Sequence, residues 1–196
     1  MPFLPLLSYA VAASFTPGPN NLMALDGARR AGFRRMRPFV CGVAAGCFGI
    51  VLLACLLNLA LYRWIPGIKL AMGLLGTAYM LWLAWKIVRS AGAPSESDEI
   101  PIRRVYSLRA GFLLQFINPK LLMYAVTAVS TFVMPYSLSL LRMFGVSLLL
   151  GAVALASSGS WALFGALFQP WLVRHEKRFN LVMALLLVYS AAAVWL

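Results

Sequence analysis

The sequence predicts an all-α membrane protein: six transmembrane helices built as two inverted three-helix repeats, with helices 1 and 4 broken at proline. Three observations predict it. The chain is 62% hydrophobic and 11% charged, whereas a soluble domain is nearer half apolar and about a quarter charged. Its apolar residues gather into blocks, and about 20 such residues span a bilayer core. Prolines interrupt two of these blocks at positions 102 residues apart, in Thr16-Pro17 and Asn118-Pro119.

The apolar blocks give spans over 3–27, 38–61, 66–88, 108–133, 139–166 and 178–196. The first is retained as a span, because its first positive charge is Arg29 and the basic leader of a signal peptide is missing. In the second, Gly42, Gly46 and Gly49 form a small-residue face, with Gly42 and Gly46 at GxxxG spacing. Close packing within the protomer is the favoured use of that face, and a homodimer seam is the other. Cys41, Cys47 and Cys55 share this helix at spacings that forbid a disulfide and match no metal-ligand pattern. They read as small apolar fillers.

The stretch from Ser90 to Arg104, with Gly92, Pro94 and the acids Glu96, Asp98 and Glu99, is the clearest loop. It divides the chain into a first repeat (1–90), a cytoplasmic linker (91–107) and a second repeat (108–196), forming one membrane domain. Ser157, Ser158, Gly159 and Ser160 in the fifth span either line a polar path or bond between helices. His175 and Glu176 read as surface residues of the last basic loop.

Charge fixes an orientation. Arg29, Arg30, Arg34, Arg35, Arg37, Lys86, Arg89, Arg103, Arg104, Arg109, Arg174, Lys177 and Arg178 fall on one side, and only Arg63, Lys69 and Arg142 on the other. Such a bias places the basic loops in the cytoplasm and both termini in the periplasm. The +12 net charge is thereby explained by topology, and nucleic acid is excluded as a partner.

A three-span half must insert upside down relative to its copy. The proline pair carries this inference, with weaker echoes between 39–43 and 144–146 and between 70–75 and 181–186. Paired interruptions in two halves point to a transporter site near the midplane. Two prolines in Thr16-Pro17-Gly18-Pro19-Asn20-Asn21 break the first helix. Thr16 is expected to cap the restart with Pro17 first in the new helix, as Asn118 and Pro119 do in the fourth span. Two helix N-termini meeting there form a receptor for a carboxylate. Lys120 adds a charge with no acidic partner at its depth, which a substrate carboxylate would supply. Asn20, Asn21, Gln115 and Asn118 are candidates to bind an ammonium or a polar side chain. Asp26 is the coupling candidate, with a surface pair to Arg29 or Arg30 as its other reading.

At these residues the sequence resembles the LysE/RhtB family of amino-acid exporters. The resemblance runs through Thr16-Pro17-Gly18-Pro19-Asn20-Asn21-Leu22, Gly32-Phe33-Arg34, Gly42/Gly46, Gly76-Thr77-Ala78-Tyr79, Leu83-Ala84-Trp85-Lys86 and Gln115-Phe116-Ile117-Asn118-Pro119-Lys120. Residues 127–135 and 185–189 look most like its cysteine/O-acetylserine branch. The resemblance implies a secondary active exporter of small neutral amino acids or their derivatives across the bacterial inner membrane. It implies a small amino-acid substrate, a proton counter-ion and the lipid bilayer as partners, and no cofactor, metal or enzymatic activity. It carries the functional motif onto Pro17 to Asn20 and Asn118 to Lys120.

The rival from another class is a membrane thiol-redox electron carrier, which needs a reactive cysteine near the break in each half. All three cysteines lie in the second span. Neither HExxH nor GxSxG occurs, so an intramembrane hydrolase is unsupported. A non-catalytic assembly subunit leaves the paired breaks unexplained.

Overall fold

A computed structural model describes residues 3–61, 74, 77–78, 80–85, 88–89, 106–136 and 139–193. The described residues are helical, with no strand among them. The helices are α1 (Phe3–Phe15), α2 (Pro19–Ala31), α3 (Phe33–Leu61), α4 (Leu108–Ile117), α5 (Pro119–Ala128), α6 (Leu140–Leu167), α7 (Gln169–Arg174) and α8 (Glu176–Ala193). A π-helical turn, Val129–Val133, continues α5.

The first expected span corresponds to α1 and α2, interrupted at Thr16-Pro17-Gly18. Gly32 turns the chain sharply between α2 and α3 at φ +84°, a left-handed value that glycine tolerates. The turn takes one residue, so α3 starts at Phe33 and not near 38. Arg34, Arg35 and Arg37, expected in a loop, stand exposed on the first turns of α3 instead. Within the third expected span, 80–85 is helical. Residues 66–73 and the linker as far as 105 lie outside the described residues. The fourth span is α4 and α5, bent by 69° at Asn118. The fifth matches α6 within a residue, and α8 begins two residues before the expected sixth. Sequence alone did not separate α7, which starts at Gln169 with Pro170 in its first turn after α6 ends at Leu167.

Two described helices, Phe33–Leu57 within α3 and Leu140–Leu167, are long and apolar enough to cross a bilayer, and the bent α4–α5 pair has the length and composition for a third if its two arms form one span. Their outward faces carry exposed Leu53, Leu56, Leu141, Leu148, Leu155 and Leu163. That is the surface a lipid environment accepts.

The halves interleave. One apolar cluster joins Leu6 and Ala10 of α1 and Cys47, Val51 and Cys55 of α3 to Leu121 and Ala125 of α5 and Leu150 of α6. A second joins α2 to Met80, Ala84 and α8, and a third joins α2 and α3 to Leu114 of α4 and Ala162 of α6. Small residues let α3 and α4 approach backbone to backbone. A side chain at Gly42 would run into the Leu108 carbonyl, and one at Gly111 into the Phe39 carbonyl. Gly46 lies against Phe112 and Gln115 in the same way. The GxxxG face is therefore used inside the protomer. Gly49 does not share it, since a Cβ there meets none of the described residues.

Candidate substrate-binding site

The first break is set by its prolines. The residue before a proline is held extended, and Gly18 accordingly sits at φ −176°, ψ 173° ahead of Pro19. The helix thus restarts at Pro19 with Gly18 at the cap position, two residues later than expected. Thr16 is not the cap: its hydroxyl turns back onto α1 and donates to the Ala13 carbonyl at 2.8 Å. The second break follows expectation, with Asn118 extended at φ −85°, ψ 102° and Pro119 opening α5. Asn118 occupies the cap position without capping, because its side chain is engaged across the break.

The two breaks lock crosswise. The end of α1 meets the start of α5: Lys120 Nζ donates to the Thr16 carbonyl at 2.8 Å, the Thr16 hydroxyl at 2.7 Å and the Pro17 carbonyl at 3.0 Å. The end of α4 meets the start of α2: Asn20 Nδ2 donates to Gln115 Oε1 at 2.7 Å, and Gln115 Nε2 returns a bond to Asn20 Oδ1 at 3.1 Å. Asn118 Nδ2 donates to the same Asn20 oxygen at 3.0 Å. Each half thereby closes the other's break. Gly18 leaves room for Lys120 here, since a Cβ would stand 2.9 Å from Lys120 Cδ and displace the side chain that lies across it.

Carbonyls at a helix C-terminus have no intrahelical partner, and those at the end of α1 are answered by side chains. Asn21 Nδ2 donates to the Ser14 carbonyl at 2.7 Å and to that of Thr16 at 3.0 Å. The Ser157 hydroxyl donates to the Ser14 carbonyl at 2.7 Å, and Trp161 Nε1 to that of Phe15 at 3.3 Å. Ser157 and Ser158 also reach Asn21 Oδ1, at 3.4 and 3.3 Å. These serines settle the open question about the fifth span by bonding between helices, and they also line a cavity. Lys120, for which the sequence offers no acidic partner at its depth, has its three donors held by neutral oxygens of the first break.

The opposite polarity is left open. No side chain caps α2 or α5, and each has proline in its first turn. The N–H groups of Asn20 and Asn21, and of Lys120 and Leu121, have no partner within their helices. Their residues line one cavity of about 40 Å³, together with Ser14, Gly18, Asn118, Tyr124, Ser157 and Ser158. A water needs roughly 10–15 Å³ of such space, so the cavity suits a small ligand.

Thr16, Pro17, Gly18, Pro19, Asn20, Asn21, Gln115, Asn118, Pro119 and Lys120 thus converge on one junction. Asp26 does not. It lies at the far end of α2, where its carboxylate accepts from Arg29 at 2.9 Å and Arg30 at 2.8 Å, the surface-pair reading of the sequence. Glu176, expected to be solvated, pairs with Arg29 at 3.1 Å, because Arg29 is only 4% exposed and reaches α8. The Arg29 guanidinium also stands 5.9 Å over the Phe179 ring. Tyr106 donates to Asp26 at 3.4 Å; burial first, then the Asp26 charge, raises its pKa above the ordinary tyrosine value. His175 Nδ1 lies 3.0 Å from the Trp171 carbonyl, to which it donates in the Nδ1–H tautomer. None of the cysteines lines the cavity.

Sequence reading missed Tyr124. It stands one turn beyond Lys120 on α5, the i, i+4 spacing that shares a helix face, and its ring stacks on Tyr9 of α1 at 5.5 Å.

A family profile described as LysE type translocator matches residues 11–196. The chain belongs to that family. This LysE-type translocator is 37% identical over 188 residues to proteins named cysteine/O-acetylserine efflux protein in Escherichia coli (strain K12) and Shigella sonnei (strain Ss046), covering 96% of this chain and 94% of each relative. No solved structure matches it. Family membership makes the translocator a transport protein and not an enzyme. With the apolar helices described above, it makes it a multi-pass protein of the bacterial inner membrane.

Proposed function

We propose that this translocator is a secondary active exporter of small neutral amino acids or their derivatives, of the cysteine/O-acetylserine type, moving them from cytoplasm to periplasm against protons. The family and the named relatives support amino-acid efflux. The observation that carries the site is the pair of uncapped helix N-termini, α2 and α5, opening onto one small cavity. Such termini present N–H groups and partial positive charge to a carboxylate. Lys120 lends its charge from beside them while holding the end of α1.

In this reading the protein has six spans in two inverted repeats, 1–90 and 108–196, joined by a cytoplasmic linker, with both termini periplasmic. The crosswise junction is what an inverted repeat produces, since α1 meets α5 as α4 meets α2. Alternating access then consists of exchanging which repeat is open to which side about a site held between them. Asp26 is the coupling candidate. The bilayer is the solvent of the outer helix faces, and a homodimer would use faces other than Gly42 and Gly46.

The test is efflux of L-cysteine and O-acetylserine from loaded proteoliposomes, with and without an imposed pH gradient. Faster release with protein, accelerated by an inward proton gradient, is expected. Release no faster than from protein-free vesicles would sink the reading, and gradient-independent release would remove the proton from it.

A further inference from the structure

We infer that the side-chain oxygen of Asn118 and the hydroxyl of Tyr124 form the subsite for the substrate's α-ammonium group, and so select amino acids over their deaminated analogues. This rests on the export reading above and adds the residues that recognise the amine.

Amide orientation decides which atom of Asn118 is free, and a chain of hydrogen bonds fixes it from a backbone group outward. The Gly111 carbonyl can only accept, so the Gln115 side-chain atom 2.8 Å from it is Nε2. That places Gln115 Oε1 against Asn20, which must present Nδ2 at 2.7 Å. Asn20 Oδ1 is then the atom facing Asn118, whose Nδ2 donates at 3.0 Å. The remaining Asn118 atom is an acceptor with no partner among the described residues. Reversing any one amide in this series would set oxygen against oxygen.

Asn118 is 2% exposed and Tyr124 6%. Their free oxygens are the buried side-chain polar atoms without a hydrogen bond among the described residues. The Tyr124 hydroxyl lies near the Ser14 side chain but forms no well-aligned bond to it. A buried polar group without a partner is unfavourable, and both residues line the same cavity. Asn118 Oδ1 can only accept, so a ligand that satisfies both must bring a donor, and the Tyr124 hydroxyl can accept from the same group. A carboxylate brings none, whereas an α-ammonium brings three and sits one carbon from a carboxylate. The Lys120 and Leu121 N–H groups, on the first turn after Asn118, lie where that carboxylate belongs. Asn20, Asn21 and Gln115 are already committed to the junction, and no acid lines the cavity. Neutral oxygens hold the amine without the tight ion pair that would slow its release.

The experiment compares L-cysteine with 3-mercaptopropionate, its deaminated analogue, in reducing proteoliposomes. Wild-type protein should transport the amino acid at least about tenfold better. In Tyr124→Phe, which keeps the ring on Tyr9, and in Asn118→Leu, that ratio should fall towards one. A wild-type ratio near one overturns the inference without any variant. So does an unchanged ratio in both variants, whatever their absolute rates. If the wild type moves neither L-cysteine nor O-acetylserine, it is the export reading that fails, and the inference falls with it.

Discussion

Two places tie the halves of the molecule together, and they are built on opposite principles. At one end of α2, Arg29 and Arg30 face Asp26 and Glu176, with Tyr106 donating to Asp26. The formal charges cancel, and each carboxylate is paired. At the other end, the breaks share a cavity in which first-turn N–H groups, Asn118 Oδ1 and the Tyr124 hydroxyl are left open. A group whose partners are all present is a strut. A group still missing one is a receptor. The difference separates the residues that hold the fold from those a ligand completes.

The comparison is broken most severely by removing Arg29. Arg29→Met leaves Glu176 without its cation and Asp26 with Arg30 alone, and because both carboxylates are partly exposed the loss should be about 1.5–3 kcal/mol. We expect a large drop in the thermal midpoint of detergent-purified protein; an unchanged midpoint would show that the cluster is no strut. Lys120→Ala should strike the other region. It removes three charge-assisted bonds, each contributing roughly 1.5–3 kcal/mol net, so efflux of L-cysteine or O-acetylserine should fall by at least about a hundredfold while membrane expression persists. Efflux at the wild-type rate would take Lys120 out of the mechanism.

Smaller effects sharpen the contrast. Gly111→Ala pushes a methyl into the Phe39 carbonyl and should lower stability by about 1–3 kcal/mol through overpacking, measured by the same thermal scan. A midpoint within error of wild type would mean the α3–α4 approach is loose. Tyr106→Phe deletes one long bond at a partly exposed carboxylate and should change stability by about 1 kcal/mol or less. A drop as large as that of Arg29→Met would make Tyr106 a principal member of the cluster.

Much of the site was legible because proline and glycine act locally. Pro17, Pro19 and Pro119 had to break helices, and the spacing of the breaks marked them as a pair. The location of the restart was not legible in the same way: Thr16 looked like a cap, but the extended conformation imposed on Gly18 by Pro19 moved the start of α2. Partners separated by long stretches of chain were beyond sequence reading. The sequence shows Lys120 without an acid at its depth, but the carbonyls of Thr16 and Pro17 that hold it lie about a hundred residues away and leave no local signal. Glu176 was taken as solvated, because nothing in its neighbours shows that Arg29 is buried against α8. Tyr124 was hidden among apolar residues, although its spacing from Lys120 placed it on the same face.

The contact between Gly42 and Gly111 has a mechanical consequence. With no side chains between them, α3 and α4 touch along their backbones, so a small rotation there disrupts few packed groups. The same rotation displaces the distant ends of both helices by a larger arc. A pivot at that contact would move the charge cluster least and the far ends of the two helices most.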